Sequence, residues 1–305
     1  MKDLISLNDI TTEEFEQILL LTEKLKKETK AGVPHHVLKG KTLAMIFAKS
    51  STRTRVSFEV GMTQLGGYPL VLSSNDLQLG RGESIYDTSK VFERYVDGIM
   101  IRTFCHDDVV ELAEHANVPV INGLTDLLHP CQALADLFTV YEHKGKLAGL
   151  KLAYVGDGNN VCHSLLFACA KAGMNMSVAT PKGYECDQNI WEMAQSDAKA
   201  SGTILTQSAD PIEAMSNADV VCTDTWVSMG QEDEKEARVK IFKDYQVNAT
   251  LFGKAKDDAI FIHCLPAYRG YEVTDDIIDG PRSVIFDEAE NRMHVQKAIM
   301  AILMG

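Results

Sequence analysis

The sequence predicts an α/β protein of two parallel-sheet domains joined by interdomain helices. Three observations carry that prediction. Short apolar runs suited to buried strands alternate with segments of helical period along the chain, the pattern of parallel sheets with crossover helices. There are ten such runs, many for a single sheet. The stretch EHKGKLAGLK (142–151) is polar and glycine-containing, and it falls where a boundary is needed. The expected division is 1–145, 146–290 in a Rossmann-like second domain, and a C-terminal helix, 291–305, returning toward the first domain.

Taken in order, a helix opens the chain. Thr11 and Glu14 have capping-box spacing, and Phe15, Ile18, Leu19 and Leu25 form its apolar face. Strands are expected near 42–48, 69–73, 98–103 and 118–121 in the first domain. In the second they are expected near 150–155, 175–179, 203–206, 219–223, 259–264 and 283–286. A final helix is expected to start at Arg292, with Val295, Ile299 and Ile302 on one face.

A formal charge of −13 disfavours a nucleic-acid surface, which needs a basic field, but allows a small anion held by a few local arginines. No apolar run approaches the ~20 residues of a membrane span, and the acidic N-terminus lacks a signal-peptide core. A cytoplasmic location and no membrane association are therefore expected. Seven dispersed cysteines, an odd number, read as reduced thiols.

In open parallel sheets ligands sit beyond the carboxyl ends of the strands, so the strand ends carry the functional reading. After 42–48 comes SSTRTRVSFE, with helical spacing at Phe58, Met62 and Leu65. Ser51 or Thr52 then begins a helix whose first N–H groups lack partners. The hydroxyls of Ser51, Thr52 and Thr54 and the forks of Arg53 and Arg55 exceed what a helix cap needs, and point to an oxyanion. Arg102, ending an apolar strand, is either an edge residue or a second anion ligand. His129 stands before Pro130, a good first helical residue, with Gln132 in the first turn. His129, Cys131, His263 and Cys264 are zinc-ligand types without zinc-finger spacing, and no metal is expected. VGDGNN supplies a G-x-G, but Val161 replaces the third glycine and no acid ends the next strand, so no dinucleotide cofactor is expected. Asn159 and Asn160 are caps or ligands. Asp224 ends an apolar strand, where its carboxylate suits an ammonium. Cys264 is either a buried small hydrophobe or a substrate contact.

SSTRTRVSFE, LQLGRGES, DGIMIRTF, HPCQALADL, DTWVSMGQE and HCLPAYRGYEVT together, in this order over essentially the whole chain, resemble the ornithine carbamoyltransferases. STRTR and HPCQ mark carbamoyltransferases in general, and SMG and HCLP mark the ornithine branch. The HPLPR of the aspartate branch is absent, and the long extra helix that ends the putrescine branch is not expected. The resemblance implies transfer of the carbamoyl group of carbamoyl phosphate to the δ-amine of ornithine, without cofactor. The alternative acceptors are putrescine or an N-acylornithine. It implies that Ser51, Thr52, Arg53, Thr54, Arg102, His129 and Gln132 hold carbamoyl phosphate, with Gln78 reaching in from a neighbouring subunit. Arg292 would touch the carbamoyl group. Ornithine would meet Asn160, Asp224, Ser228 and Met229, with Cys264 and Leu265 flanking its δ-amine. Catalytic roles fall to Arg102, His129, Cys264 and Asp224. A homotrimer with active sites at subunit interfaces, domain closure on ornithine binding, and a place in arginine metabolism are further implications.

Overall fold

The computed structural model describes residues 1–73, 77, 82–228 and 230–305, and the backbone but not the side chain of residue 232. The expectations for Gln78 and Met229 lie outside the described residues. The chain forms two compact units, Met1–Ala135 with Glu290–Gly305, and Asp136–Ala289.

In the first unit α1 (Thr12–Lys30) starts at a complete capping box. Thr11 Oγ1 accepts from the Glu14 N–H at 3.2 Å, and Glu14 Oε2 accepts from the Thr11 N–H at 2.9 Å. There follow β1 (Thr42–Phe47), α2 (Thr52–Gln64), β2 (Tyr68–Ser73), α3 (Ile85–Phe92), β3 (Gly98–Arg102), α4 (His106–His115) and β4 (Val120–Leu124). Among the described residues these strands form one parallel four-stranded sheet in the order β2-β1-β3-β4. β1 and β3 are apolar on both faces, as strands covered by helices on both sides must be. Ala44, Ile46, Ile99 and Ile101 pack with Val109 and Leu112 of α4 in one buried cluster. The chain enters α5 (Pro130–Lys144) in this unit and leaves it in the second.

The second unit contains β5 (Lys151–Val155), α6 (Asn160–Lys171), β6 (Asn175–Ala179), α7 (Gln188–Ser201), β7 (Leu205–Ser208), α8 (Pro211–Met215), β8 (Val220–Cys222), α9 (Lys235–Ile241), α10 (Ala249–Phe252), β9 (Ile260–Ile262) and α11 (Asp275–Ile278). Its parallel sheet, again among the described residues, has five strands in the order β7-β6-β5-β8-β9. Residues 161–170 of α6 are all buried, as suits a helix with almost no polar face. Trp226, Phe242 and Phe261 anchor a second buried cluster.

The last expected strand is corrected. Ser283 makes only a single bridge to Phe261, and Ile285 already begins the final helix, α12 (Ile285–Met304). Asp287 and Glu288 sit in its first turn, where carboxylates favour the positive helix end. Arg292 is therefore well inside α12 rather than at its start, and the helix passes from the second unit into the first.

Candidate active site

Each sheet reverses its strand order once. In the first unit the reversal lies between β1 and β3, and in the second between β5 and β8. Such switch points open a crevice beyond the carboxyl strand ends. Ser51–Thr54 follow β1 and Arg102 ends β3 at the first, and Asn159 and Asn160 follow β5 and Asp224 follows β8 at the second.

In the first unit Ser51 caps α2, its Oγ accepting from the Thr54 N–H at 3.2 Å. Thr54 is fully buried, and three donors converge on its hydroxyl oxygen. Ser51 Oγ lies at 3.0 Å, Arg102 Nη1 at 3.4 Å and Arg292 Nη2 at 2.6 Å. A hydroxyl oxygen has two lone pairs, so three donors exceed what it can accept and can be shared with an incoming anion. Arg292 Nη2 also lies 3.3 Å from His129 Nε2. Arginine only donates, so Nε2 accepts and the ring proton sits on Nδ1. Burial, reinforced by Arg292 and Arg102, holds this imidazole well below its usual range, and it is neutral at pH 7. Thr52 and Arg53 form the first turn of α2; Arg53 Nε is buried with no hydrogen-bond partner among the described residues. Gln132, also buried, donates its backbone N–H to the His129 carbonyl at 3.1 Å in the first turn of α5. Arg55 instead lies on the exposed face of α2, 3.4 Å from Glu59.

In the second unit Asp224, nearly buried at the end of β8, is gripped from two sides. Asn159 Nδ2 donates to its Oδ2 at 2.7 Å, and Cys264 Sγ donates to its Oδ1 at 3.2 Å. Asn159 is at once the cap of α6, its Oδ1 accepting from the N–H groups of Val161 and Cys162. Asn160 is the first residue of that helix. Burial, with the carboxylates of Asp224, Glu288 and Asp136, pushes the Cys264 thiol well above its ordinary range. The thiol thus stays protonated and acts as a donor to Asp224. Leu265 has φ +56°, a left-handed conformation uncommon for its type, and its N–H donates to His263 Nδ1 at 2.9 Å. Ser228 is tied locally, its N–H donating to Gln231 Oε1 at 3.1 Å.

Asp224, His263 and Cys264 present potential ligand atoms within 4.8 Å of one another. Both ring nitrogens of His263 are engaged, however, Nδ1 with Leu265 and Nε2 with Glu272 at 3.2 Å. Burial pushes Cys131 up to about 12, so its thiol is equally ill-suited to a metal.

Two features were not drawn from the sequence. The link from Asn159 to Asp224 needs β5 and β8 side by side, which no local pattern announces. Arg238, from α9, joins Asp157 Oδ2 at 2.8 Å and the Trp226 carbonyl at 3.1 Å, bracing the loops after β5 and β8. Its signal in the sequence is only an arginine in a charged helix.

Comparison with known proteins places the chain. Residues 2–142 match the carbamoyl-P binding domain of aspartate/ornithine carbamoyltransferase, and residues 148–303 match its Asp/Orn binding domain. The ornithine carbamoyltransferase of Carboxydothermus hydrogenoformans is 60% identical, covering 100% of this chain and 98% of that protein. That of Thermococcus kodakarensis is 59% identical, covering 100% and 96%. The solved ornithine carbamoyltransferase of Pyrococcus furiosus superposes with a TM-score of 0.97 at 56% identity, covering 100% of this chain and 97% of that one.

Proposed function

The chain belongs to the aspartate/ornithine carbamoyltransferase family, and we propose that its two groups of strand-end residues divide the two substrates between them. The reaction moves the carbamoyl group of carbamoyl phosphate to the δ-amine of L-ornithine, giving L-citrulline and phosphate. The convergence of Ser51, Arg102 and Arg292 on Thr54 at a helix start carries the assignment of the anion half.

Carbamoyl phosphate would place its phosphoryl oxygens on the open N–H groups of α2, on Ser51 and Thr52, and on Arg53, with Gln132 beside it and Gln78 supplied by a neighbouring subunit. Its carbamoyl oxygen would face Thr54, Arg102, His129 and Arg292. In the tetrahedral intermediate that oxygen carries negative charge, and donors already in place stabilise it more than they stabilise the ground state. Removal of one such donor typically raises the barrier by ~3–4 kcal/mol.

Ornithine would hold its α-ammonium to Asp224 and its carboxylate near Asn160, Ser228 and Met229, leaving the δ-amine between Cys264 and Leu265. An alkyl ammonium of pKa about 10.4 cannot attack, so the amine reacts after losing a proton. The neutral nitrogen bonds to the carbamoyl carbon, and the C–O bond to phosphate then breaks with its electron pair on the oxygen. The proton left on the nitrogen passes to that oxygen. Because the Cys264 thiol is held protonated, its place beside Asp224 supports an orienting role rather than that of a base.

We further propose a homotrimer with active sites at subunit interfaces, a cytoplasmic location and a place in arginine metabolism; family membership is what supports these. Among the described residues no helix is long and apolar enough to cross a membrane.

The test is purified protein given carbamoyl phosphate with ornithine, aspartate, putrescine or N-acetylornithine in parallel. Citrulline and phosphate in equal amounts from ornithine are expected. Faster turnover of another amine would move the acceptor assignment to that amine.

A further inference from the structure

Among the described residues of the first unit is a fully buried lysine that the reaction does not use. Lys297, on α12, is completely buried. Its ammonium donates to Thr29 Oγ1 at 2.7 Å and to Gln64 Oε1 at 2.8 Å, both neutral oxygens. Thr29 lies in the last turn of α1 and Gln64 is the last residue of α2, so the cation sits at the negative ends of two helices.

The opposite end of α2 is the anion site. Arg292, five residues before Lys297 on α12, meets Thr54 there at 2.6 Å. α2 and α12 are thus joined at two levels, Arg292 to Thr54 and Lys297 to Gln64. Between these levels Gly61 lets the helices come close. A Cβ there would stand 3.1 Å from Lys297 Cγ and 3.3 Å from Met300 Cε.

We propose that Lys297 is a positioning residue for the carbamoyl phosphate site: by pinning α12 to the C-terminal ends of α1 and α2, it sets the place of Arg292 against Thr54. This rests on the assignment of that site given above. Stability does not account for the residue, since burial lowers its pKa to about 8 and an apolar side chain of similar length would avoid that penalty. The ionisable groups that face it are Glu28 of α1, His294 of α12 and His35 of the loop after α1. Glu28 opposes the shift. A neutral lysine still offers two N–H groups to the same two oxygens, so the pin survives loss of the charge.

Calorimetry and kinetics on the full chain test this with Lys297→Met. Its carbamoyl phosphate Kd should rise about tenfold, with the KM for ornithine at saturating carbamoyl phosphate unchanged and the ligand-free Tm no lower. Gln64→Leu breaks the same bond from the α2 side and should weaken carbamoyl phosphate in the same sense, with the double variant no worse than Lys297→Met alone. If Lys297→Met fails to fold, Gln64→Leu decides. Normal carbamoyl phosphate affinity in the deciding variant overturns the proposal, as does an equal loss for both substrates with a lowered Tm. Arg53→Ala run alongside separates the two levels. If it loses carbamoyl phosphate while Lys297→Met does not, the pin alone fails; if it too binds normally, the site assignment fails and the pin with it.

Discussion

Thr54 in the first unit and Asp224 in the second each stand at a local imbalance. Thr54 receives more donors than a hydroxyl can accept, while Asp224 is a nearly buried carboxylate held by an amide and a thiol. The first was readable in the sequence, because three hydroxyls and two arginines within the five residues Ser51–Arg55 are a local signal. The contribution of Arg292 came from the family resemblance alone, since it lies 238 residues from Thr54 and no local pattern links the two. Cys264 illustrates what the structure adds to a residue the sequence left open. With its pKa raised by burial and neighbouring carboxylates, the thiol remains neutral across the physiological range. Cys264→Ser, which keeps a donor for Asp224, should therefore lose less than about tenfold in kcat. The alkaline limb of its kcat/KM profile for ornithine should stay where the parent has it. A limb that disappears in the serine variant would show that the thiolate takes part.

The elements were legible where their period is long or their caps are chemical. The capping box of α1, the Ser51 cap of α2 and Pro130 at the start of α5 all stand where the sequence places them. The segment 283–286 misleads because SVIF is apolar and β-branched, a pattern shared by a short strand and the start of a buried helix. The acidic pair Asp287 and Glu288 was the signal that distinguishes them. α12 also makes a prediction about stability. The Lys297 pKa falls from 10.5 to about 8 on folding, so between those values the unfolded chain holds a proton that the folded chain has released. Stability from this group should then rise with pH over that window, by on the order of 3 kcal/mol in all. Below about pH 8 both states are protonated and the contribution is flat. Urea unfolding of the parent and of Lys297→Met from pH 7 to 10 measures it as a difference. Stability curves that stay parallel would contradict the buried-cation account.

For the whole molecule, strand–helix alternation was enough to give two parallel-sheet domains, because parallel strands need crossovers and crossovers leave a periodic trace. Strand order leaves no such trace. The sequence does not say that β1 lies between β2 and β3, or β5 between β6 and β8, yet those orders create the two switch points. The expected return of the last helix toward the first domain likewise rests on no local pattern, and it is the unit of Met1–Ala135 with Glu290–Gly305 that holds Arg292 and Lys297. The proposed division of substrates gives carbamoyl phosphate to the Ser51–Arg53 helix start and ornithine to Asp224. Its most direct test is carbamoyl phosphate calorimetry on Arg53→Ala and Asp224→Asn, with ornithine kinetics on the latter. Arg53→Ala should lose ~1.5–3 kcal/mol or more of carbamoyl phosphate binding with an unchanged ligand-free Tm. Asp224→Asn should bind carbamoyl phosphate as the parent does, yet lose most of its kcat/KM for ornithine. Normal carbamoyl phosphate binding by Arg53→Ala, or undiminished ornithine kinetics in Asp224→Asn, would contradict that division.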